Sequence, residues 1–399
     1  MSLNQVVSAE RLHIGFFGRR NAGKSSLVNV VTNQDLAVVS DIKGTTTDPV
    51  QKAMELLPLG PVVIIDTPGL DDEGMLGQLR VKKAKQILSR TDIAVLVVDA
   101  SVGMAYEDEA LAALFLERKI PFITVFNKAD LLKETPILPD GCIYASATTR
   151  EGVEKLKEML GKFAKNVKRK QLLCSDLFDA GDAVILVTPI DESAPKGRLI
   201  LPQQLILRDI LDHHGLALVC QAEELKAMLA ALGKKPKLVI TDSQAFGKVS
   251  ADTPEDIPLT SFSILMARYK GDLTALVQGA SVLRDLKDGD KVLISEGCTH
   301  HRQCNDIGTV KMPGWIRKFC GNMPEFHFTS GGEFPDDLST YRLVVHCGGC
   351  MLNEREMKSR MERCNAAGVP IVNYGVAIAL MHGILKRSLE PFPSVLELL

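Results

Sequence analysis

At 399 residues and roughly 150 residues per domain, the chain has room for two or three domains with cores of their own, so its size calls for no covalent stapling. Hydrophobic residues make up 46% and charged residues 24%, and the net charge of -2 offers no basic excess for a polyanion, which argues against a dedicated nucleic-acid binder. No stretch reaches the roughly 18 uninterrupted apolar residues of a membrane span, and the opening MSLNQVVSAERLHIGFFG has no export pattern, so a cytoplasmic protein without a membrane partner is expected.

From residue 11 to 165 the apolar runs LHIGFFG, VVIID, IAVLVVDA, FITVFNKAD and CIYASA alternate with helical patterns. That order predicts an α/β domain, a parallel sheet with helices on both faces. The first run leads into GRRNAGKSS, which fits G-x-x-x-x-G-K-S from Gly18 to Ser25 just ahead of the helical SLVNVVT. The context is that of a P-loop. Gly18 and Gly23 would turn N–H groups toward a pyrophosphate, Lys24 would reach the β- and γ-phosphates, and Ser25, followed by Ser26, would offer an oxygen to Mg2+.

A second run ends as IIDTPGL, setting Asp66 where a carboxylate meets a Mg2+-bound water and Gly69 where an N–H meets a γ-phosphate. NKAD, with Asn127, Lys128 and Asp130, follows a third. Its aspartate can accept from both N1–H and the 2-amino group of guanine, a pair that adenine cannot donate. Charged hydrogen bonds are worth about 1.5 to 3 kcal/mol each, so GTP and GDP are the expected nucleotides. Ser146 and Ala147, in YASAT, are placed to close over the base.

Together these motifs match the translation-factor-like GTPases. GRRNAGKSS with KGTTTD most resembles the subgroup of the tRNA-modification GTPase and Era-like proteins. The resemblance implies that Thr45 or Thr46 is the switch threonine on Mg2+ and γ-phosphate, and that Asn21 helps to hold K+ beside the phosphates. Catalytic roles then fall to Lys24, Thr46 and Gly69. Leu70 stands where Ras-like proteins carry a water-positioning glutamine, so slow hydrolysis is expected, and the resemblance at Asn21 implies that K+ stimulates it. Asp71, Asp72 and Glu73 are either substitutes for that glutamine or solvated loop residues.

Past the basic run KFAKNVKRKQ, read as a solvated helix face and linker, DAVILVTPI, LALVCQ, KLVITDSQ and FSILMARY read as strands separated by helices. This is a second α/β unit. A third begins near Tyr269, passes KVLISEGCTHHRQC and ends strand, helix, strand, helix from YRLVVHC onward. The expected domains are 1–170, which binds the nucleotide, 171–266 and 267–399.

Nine cysteines, an odd number in a reducing compartment, do not make a disulfide framework. Cys142, Cys174, Cys220 and Cys364 read as small core residues. VVHCGGCM is different: it delivers His346, Cys347, Gly348, Gly349 and Cys350 to the mouth of a helix, where thiol pKa values fall. Upstream, SEGCTHHRQC adds Cys298, His300, His301 and Cys304. Spacing alone leaves open a redox pair, a zinc site of three cysteines and one histidine, and an iron–sulfur site.

C-x-H, 45 intervening residues and H-C-x-x-C, behind an N-terminal GTPase, resembles the FeFe-hydrogenase maturation GTPase family, HydF. That resemblance implies that Cys298, Cys347 and Cys350 are the thiolates of a 4Fe-4S cluster, with His300 and His346 as further candidate ligands. It also implies a scaffold that delivers a transient diiron precursor to the FeFe-hydrogenase catalytic subunit, with the two radical-SAM maturation enzymes as partners and a homodimer formed through the middle domain. The rival readings are a regulatory GTPase with a structural zinc domain and an RNA-associated GTPase. His301 and Cys304 fall off the pattern. Trp315, Cys320 and His327 read as packing residues, and His213 with His214 as a helix end.

Overall fold

Ile93–Asp99 reads IAVLVVD and is buried at every position up to Val98, as only a strand covered on both faces can be. It is β4 of a six-stranded sheet. In this computed structural model, which describes residues 9–34, 50–67, 86–166, 172–189, 199–297 and 306–399, the chain forms two compact units, Met1–Arg169 and Lys170–Leu399.

The first unit holds β1 (Leu12–Phe17), β2 (Val50–Leu56), β3 (Gly60–Asp66), β4, β5 (Phe122–Asn127) and β6 (Cys142–Tyr144) in the order β2-β3-β1-β4-β5-β6. All neighbours are parallel except β2, which runs antiparallel to β3. The helices Lys24–Thr32 and Val153–Asn166 pack on one face, and Tyr106–Glu117 on the other. This is the α/β arrangement expected, with one correction. The sheet is mixed, because VQKAMEL buries only Leu56 and carries no apolar run to announce an edge strand.

The second unit carries two four-stranded parallel sheets. One contains β7 (Ala183–Val187), β8 (Leu216–Cys220), β9 (Leu238–Thr241) and β10 (Leu259–Ser261), ordered β10-β9-β7-β8. The other contains β11 (Lys291–Glu296), β12 (Glu325–Ser330), β13 (Leu343–His346) and β14 (Ile371–Asn373), ordered β12-β11-β13-β14. A single core runs from Leu173 and Leu186, under the first sheet, to Val292, Val344 and Val395 around the second.

FSILMARY is a helix, Phe262–Lys270, and not the expected strand. Phe262, Ile264, Leu265, Met266, Ala267 and Lys270 are all buried, so the helix shows no polar stripe and its apolar run imitates a covered strand. Its start is set by Ser261, whose side chain accepts from the Ile264 N–H at 3.2 Å. VPIVNYGVAIALMHGIL is β14 followed by the buried helix Tyr374–Met381. Among the described residues no helix is long and apolar enough to cross a membrane.

Candidate functional site

Both sets of chemical residues lie where parallel strands end and their loops begin, the ordinary place for ligands in such sheets. In the first unit the loop after β1 carries the P-loop. Gly23 has φ 85, and a Cβ there would stand 2.2 Å from Asn127 Nδ2, so only glycine fits between phosphate loop and base loop. Lys24 is buried and its Nζ donates to Gly18 O at 3.0 Å and Arg19 O at 2.7 Å. Ser26 follows Ser25 in the first turn of Lys24–Thr32. Asn21 is exposed with φ 61.

Asp66 closes β3. Its Oδ2 accepts from Ser25 Oγ at 2.5 Å, while its Oδ1 is buried with no hydrogen-bond partner among the described residues. Burial raises its carboxyl pKa, and the Ser25 hydrogen bond and Lys24 charge pull it partly back. A buried carboxylate oxygen left open beside a serine hydroxyl fits a divalent cation. At the base end, Asn127 Nδ2 donates to Ala22 O at 2.9 Å and its Oδ1 accepts from Ala147 N–H at 3.2 Å, so one side chain ties the three loops. Ser146 Oγ donates to Asp130 Oδ1 at 2.5 Å and accepts from the Thr148 and Thr149 N–H groups. Lys128 Nζ bonds Asp99 Oδ2 at 2.6 Å. Thr45, Thr46 and Gly69, together with Leu70, Asp71, Asp72 and Glu73, lie outside the described residues.

In the second unit β13 ends at His346 and runs into the CGGC loop. Cys347 Sγ accepts from the N–H groups of Gly297, at 3.0 Å, and Gly349, at 3.4 Å. Gly297 directly follows β11, so the end of that strand lies beside Cys347. Cys298, His300, His301 and Cys304 lie outside the described residues.

The histidine is buried behind the loop. Its Nδ1 bonds Cys347 O at 2.7 Å, and its Nε2 faces Arg360 Nη1 at 3.0 Å. A guanidinium only donates, so Nε2 is the acceptor and Nδ1 carries the proton. Burial and the Arg360 charge lower the imidazole pKa to about 3. In this arrangement both nitrogens are engaged and neither is left for iron. Arg360 also donates to Ser295 Oγ, Gly331 O and Glu356 Oε1, binding β11, β13 and the helix Glu354–Ala366 into one polar network.

The helix after the loop departs from expectation. It begins at Glu354, and the Asn353 side chain caps it by accepting from the Glu356 N–H at 3.0 Å, so the CGGC loop precedes the helix N-terminus. Burial raises the Cys350 thiol pKa, only partly countered by the Lys270 charge and the N–H groups of Cys350 and Met351.

Cys174 and Cys364 are fully buried, as core residues should be, while Cys142 and Cys220 are half-buried. His213 ends the helix Leu201–Asp212 with Nδ1 on Asp209 O. Trp315 packs edge-on against His382, and His327 against Tyr341. Sequence reasoning missed Lys270, whose Nζ meets three carbonyls of the cysteine loop, and Arg360. Glu356 and Arg360, four apart on a charged helix, look from sequence like a surface pair.

Comparison with known proteins agrees with this division. The profile of the 50S ribosome-binding GTPase family matches residues 13–128. The tRNA modification GTPase MnmE of Legionella pneumophila (strain Corby) is 39% identical over 159 residues, covering 39% of this chain and 35% of that protein. GTPase Der of Kosmotoga olearia is 38% identical over 130 residues, 31% of this chain and 29% of its own. The chain thus spans about a third of the length of these curated relatives. Among solved structures, Era from Aquifex aeolicus aligns with 89% of this chain and 98% of its own at 16% identity and a TM-score of 0.35. The remainder is matched by the hydrogen maturase F dimerization domain, over residues 173–271, and the hydrogen maturase F tetramerization domain, over residues 274–391. With those two profiles spanning more than half of its residues behind a GTPase domain, the chain belongs to the hydrogen maturase F family.

Proposed function

We propose that this protein is a GTPase and 4Fe-4S scaffold that carries a diiron precursor to the FeFe-hydrogenase catalytic subunit, working with the two radical-SAM maturation enzymes. The nucleotide half rests on the P-loop, with Lys24 compensating phosphate charge and Ser25 and Asp66 as the residues to hold Mg2+. Thr46 and Gly69 would sense the γ-phosphate, and Asp130 would read guanine. Slow turnover, stimulated by K+ at Asn21, belongs to the same reading. Equal rates in K+ and Na+ would remove the K+ part.

The cluster half rests on one observation above all. The Gly297 N–H meets Cys347 Sγ at 3.0 Å, so the residue that precedes Cys298 in sequence lies against the CGGC loop. Backbone N–H groups aimed at a sulfur suit a thiolate ligand. Cys298, Cys347 and Cys350 would hold the cluster. Three thiolates leave one iron with a replaceable ligand, which is the chemistry that a carrier of a metal precursor needs. His300 remains a candidate for that fourth position, whereas His346, with both nitrogens engaged, acts from behind the loop.

Anaerobic reconstitution with iron and sulfide tests the reading. Expected is a brown protein with about four irons and four sulfides per chain, lost in Cys298→Ala, Cys347→Ala and Cys350→Ala, where only two thiolates remain. A colourless protein that retains zinc would establish the zinc-domain rival in its place.

A further inference from the structure

Lys270 is the last residue of the helix Phe262–Lys270, and its side chain is fully buried. Apart from its charge beside Cys350, the nucleotide and thiolate chemistry does not use it. Its Nζ donates to the main-chain carbonyls of Leu352, Cys350 and Gly349 at 2.7, 3.0 and 3.5 Å. A lysine head has three donors, and three carbonyls of one short turn converge on it. A buried ammonium is costly unless so satisfied, and carbonyls pointed inward together are costly without a donor. Each requires the other.

Cys347 is held at the strand end by Ser295 O, His346 and the Gly297 N–H, but beyond it the turn has few side chains to fix it. Gly348 and Gly349 supply no side chains to pack, and Gly349 sits at φ 61, open to glycine's many alternatives. Among the described residues Met357 is the side chain that lies against Gly349, and the helix that comes next is capped by Asn353 on its own account. We infer that Lys270 is a positioning residue that pegs the far side of the CGGC turn, setting the Cys350 sulfur relative to Cys347 before any metal arrives. The peg comes from the segment matched by the dimerization profile, and the turn from the segment matched by the tetramerization profile. The inference rests on the cysteine-site reading for its purpose, but not for its geometry.

The test uses full-length, metal-free, reduced protein. Lys270→Met keeps the stem and removes the donors. It should raise the rate of Cys350 alkylation by iodoacetamide about tenfold or more, while Cys364, buried in the same core, stays protected. After anaerobic reconstitution the variant should bind less iron than wild type and give a broadened EPR signal. Unchanged Cys350 alkylation with Cys364 protected overturns the peg. If Cys364 also becomes reactive, the variant has unfolded, and hydrogen exchange on wild type decides. The Leu352 amide, which donates to Gly349 O at 3.0 Å, should then be as protected as Val345 in β13, and exchange at open-loop rates overturns the inference. Wild type that takes up no iron would overturn the cluster reading separately, because the alkylation and exchange experiments contain no metal.

Discussion

Asp66 carries a visible electrostatic cost, with one oxygen buried and unpartnered among the described residues and its pKa raised by burial. In the folded state this carboxyl holds its proton more tightly than in the unfolded chain. It therefore favours folding most below the ordinary value of 3.8, and that contribution is lost as pH rises through the raised folded value. At pH 7 nucleotide-free protein should be stabilised by Asp66→Asn, with Tm up by a few degrees, and the gain should shrink toward pH 4. The same change should cut Mg2+-dependent nucleotide affinity at least about tenfold, the worth of one charge-assisted contact. Calorimetry at both pH values, with and without Mg2+, checks the pair. Asp130→Asn should similarly lower GTP-over-ATP preference by about tenfold or more, read from competition binding, since one of two accepted hydrogen bonds becomes a donor clash. Unchanged selectivity would move base reading elsewhere. Residues of this kind were legible because phosphate, Mg2+ and guanine each demand a side chain of fixed type at fixed spacing. Lys270 and Arg360 were not, because their partners are carbonyls and an imidazole brought near only by the fold.

Among the elements, β8 stands out as an edge strand that, among the described residues, pairs only with β7 and leaves Leu216 57% and Val219 44% exposed. An apolar edge is a template for another chain unless something covers it. Since this strand belongs to the segment matched by the dimerization profile, a second copy is the natural cover. Leu216→Lys with Val219→Lys should weaken self-association about tenfold or more, on the scale of exposing one buried leucine. Sedimentation equilibrium reads the shift, and an unaltered assembly would place the interface elsewhere. Element type was legible wherever burial left a periodic trace. It failed at Phe262–Lys270, buried almost all round, and at β2, where half the strand faces water. At both, the deciding information is tertiary: a serine cap in one case, the pairing with β3 in the other.

Over the whole molecule, the P-loop lies in one compact unit and the CGGC loop in the other. Lys24→Ala should therefore lower GTP turnover by about two orders of magnitude or more while iron content after reconstitution stays at the wild-type level. Loss of iron in a folded Lys24→Ala protein would show that the two chemistries share more than a chain. The separation does not extend within the second unit, whose core draws on residues from Leu173 to Val395. That has a consequence for the chain as it is made. At about 5 to 20 residues per second, the first unit can close while synthesis continues, but Leu173 and Val184 must wait on the order of 10 to 40 s for Val345 and Val395 to leave the ribosome. For that interval the nascent middle segment holds apolar surface whose native cover is still to be made.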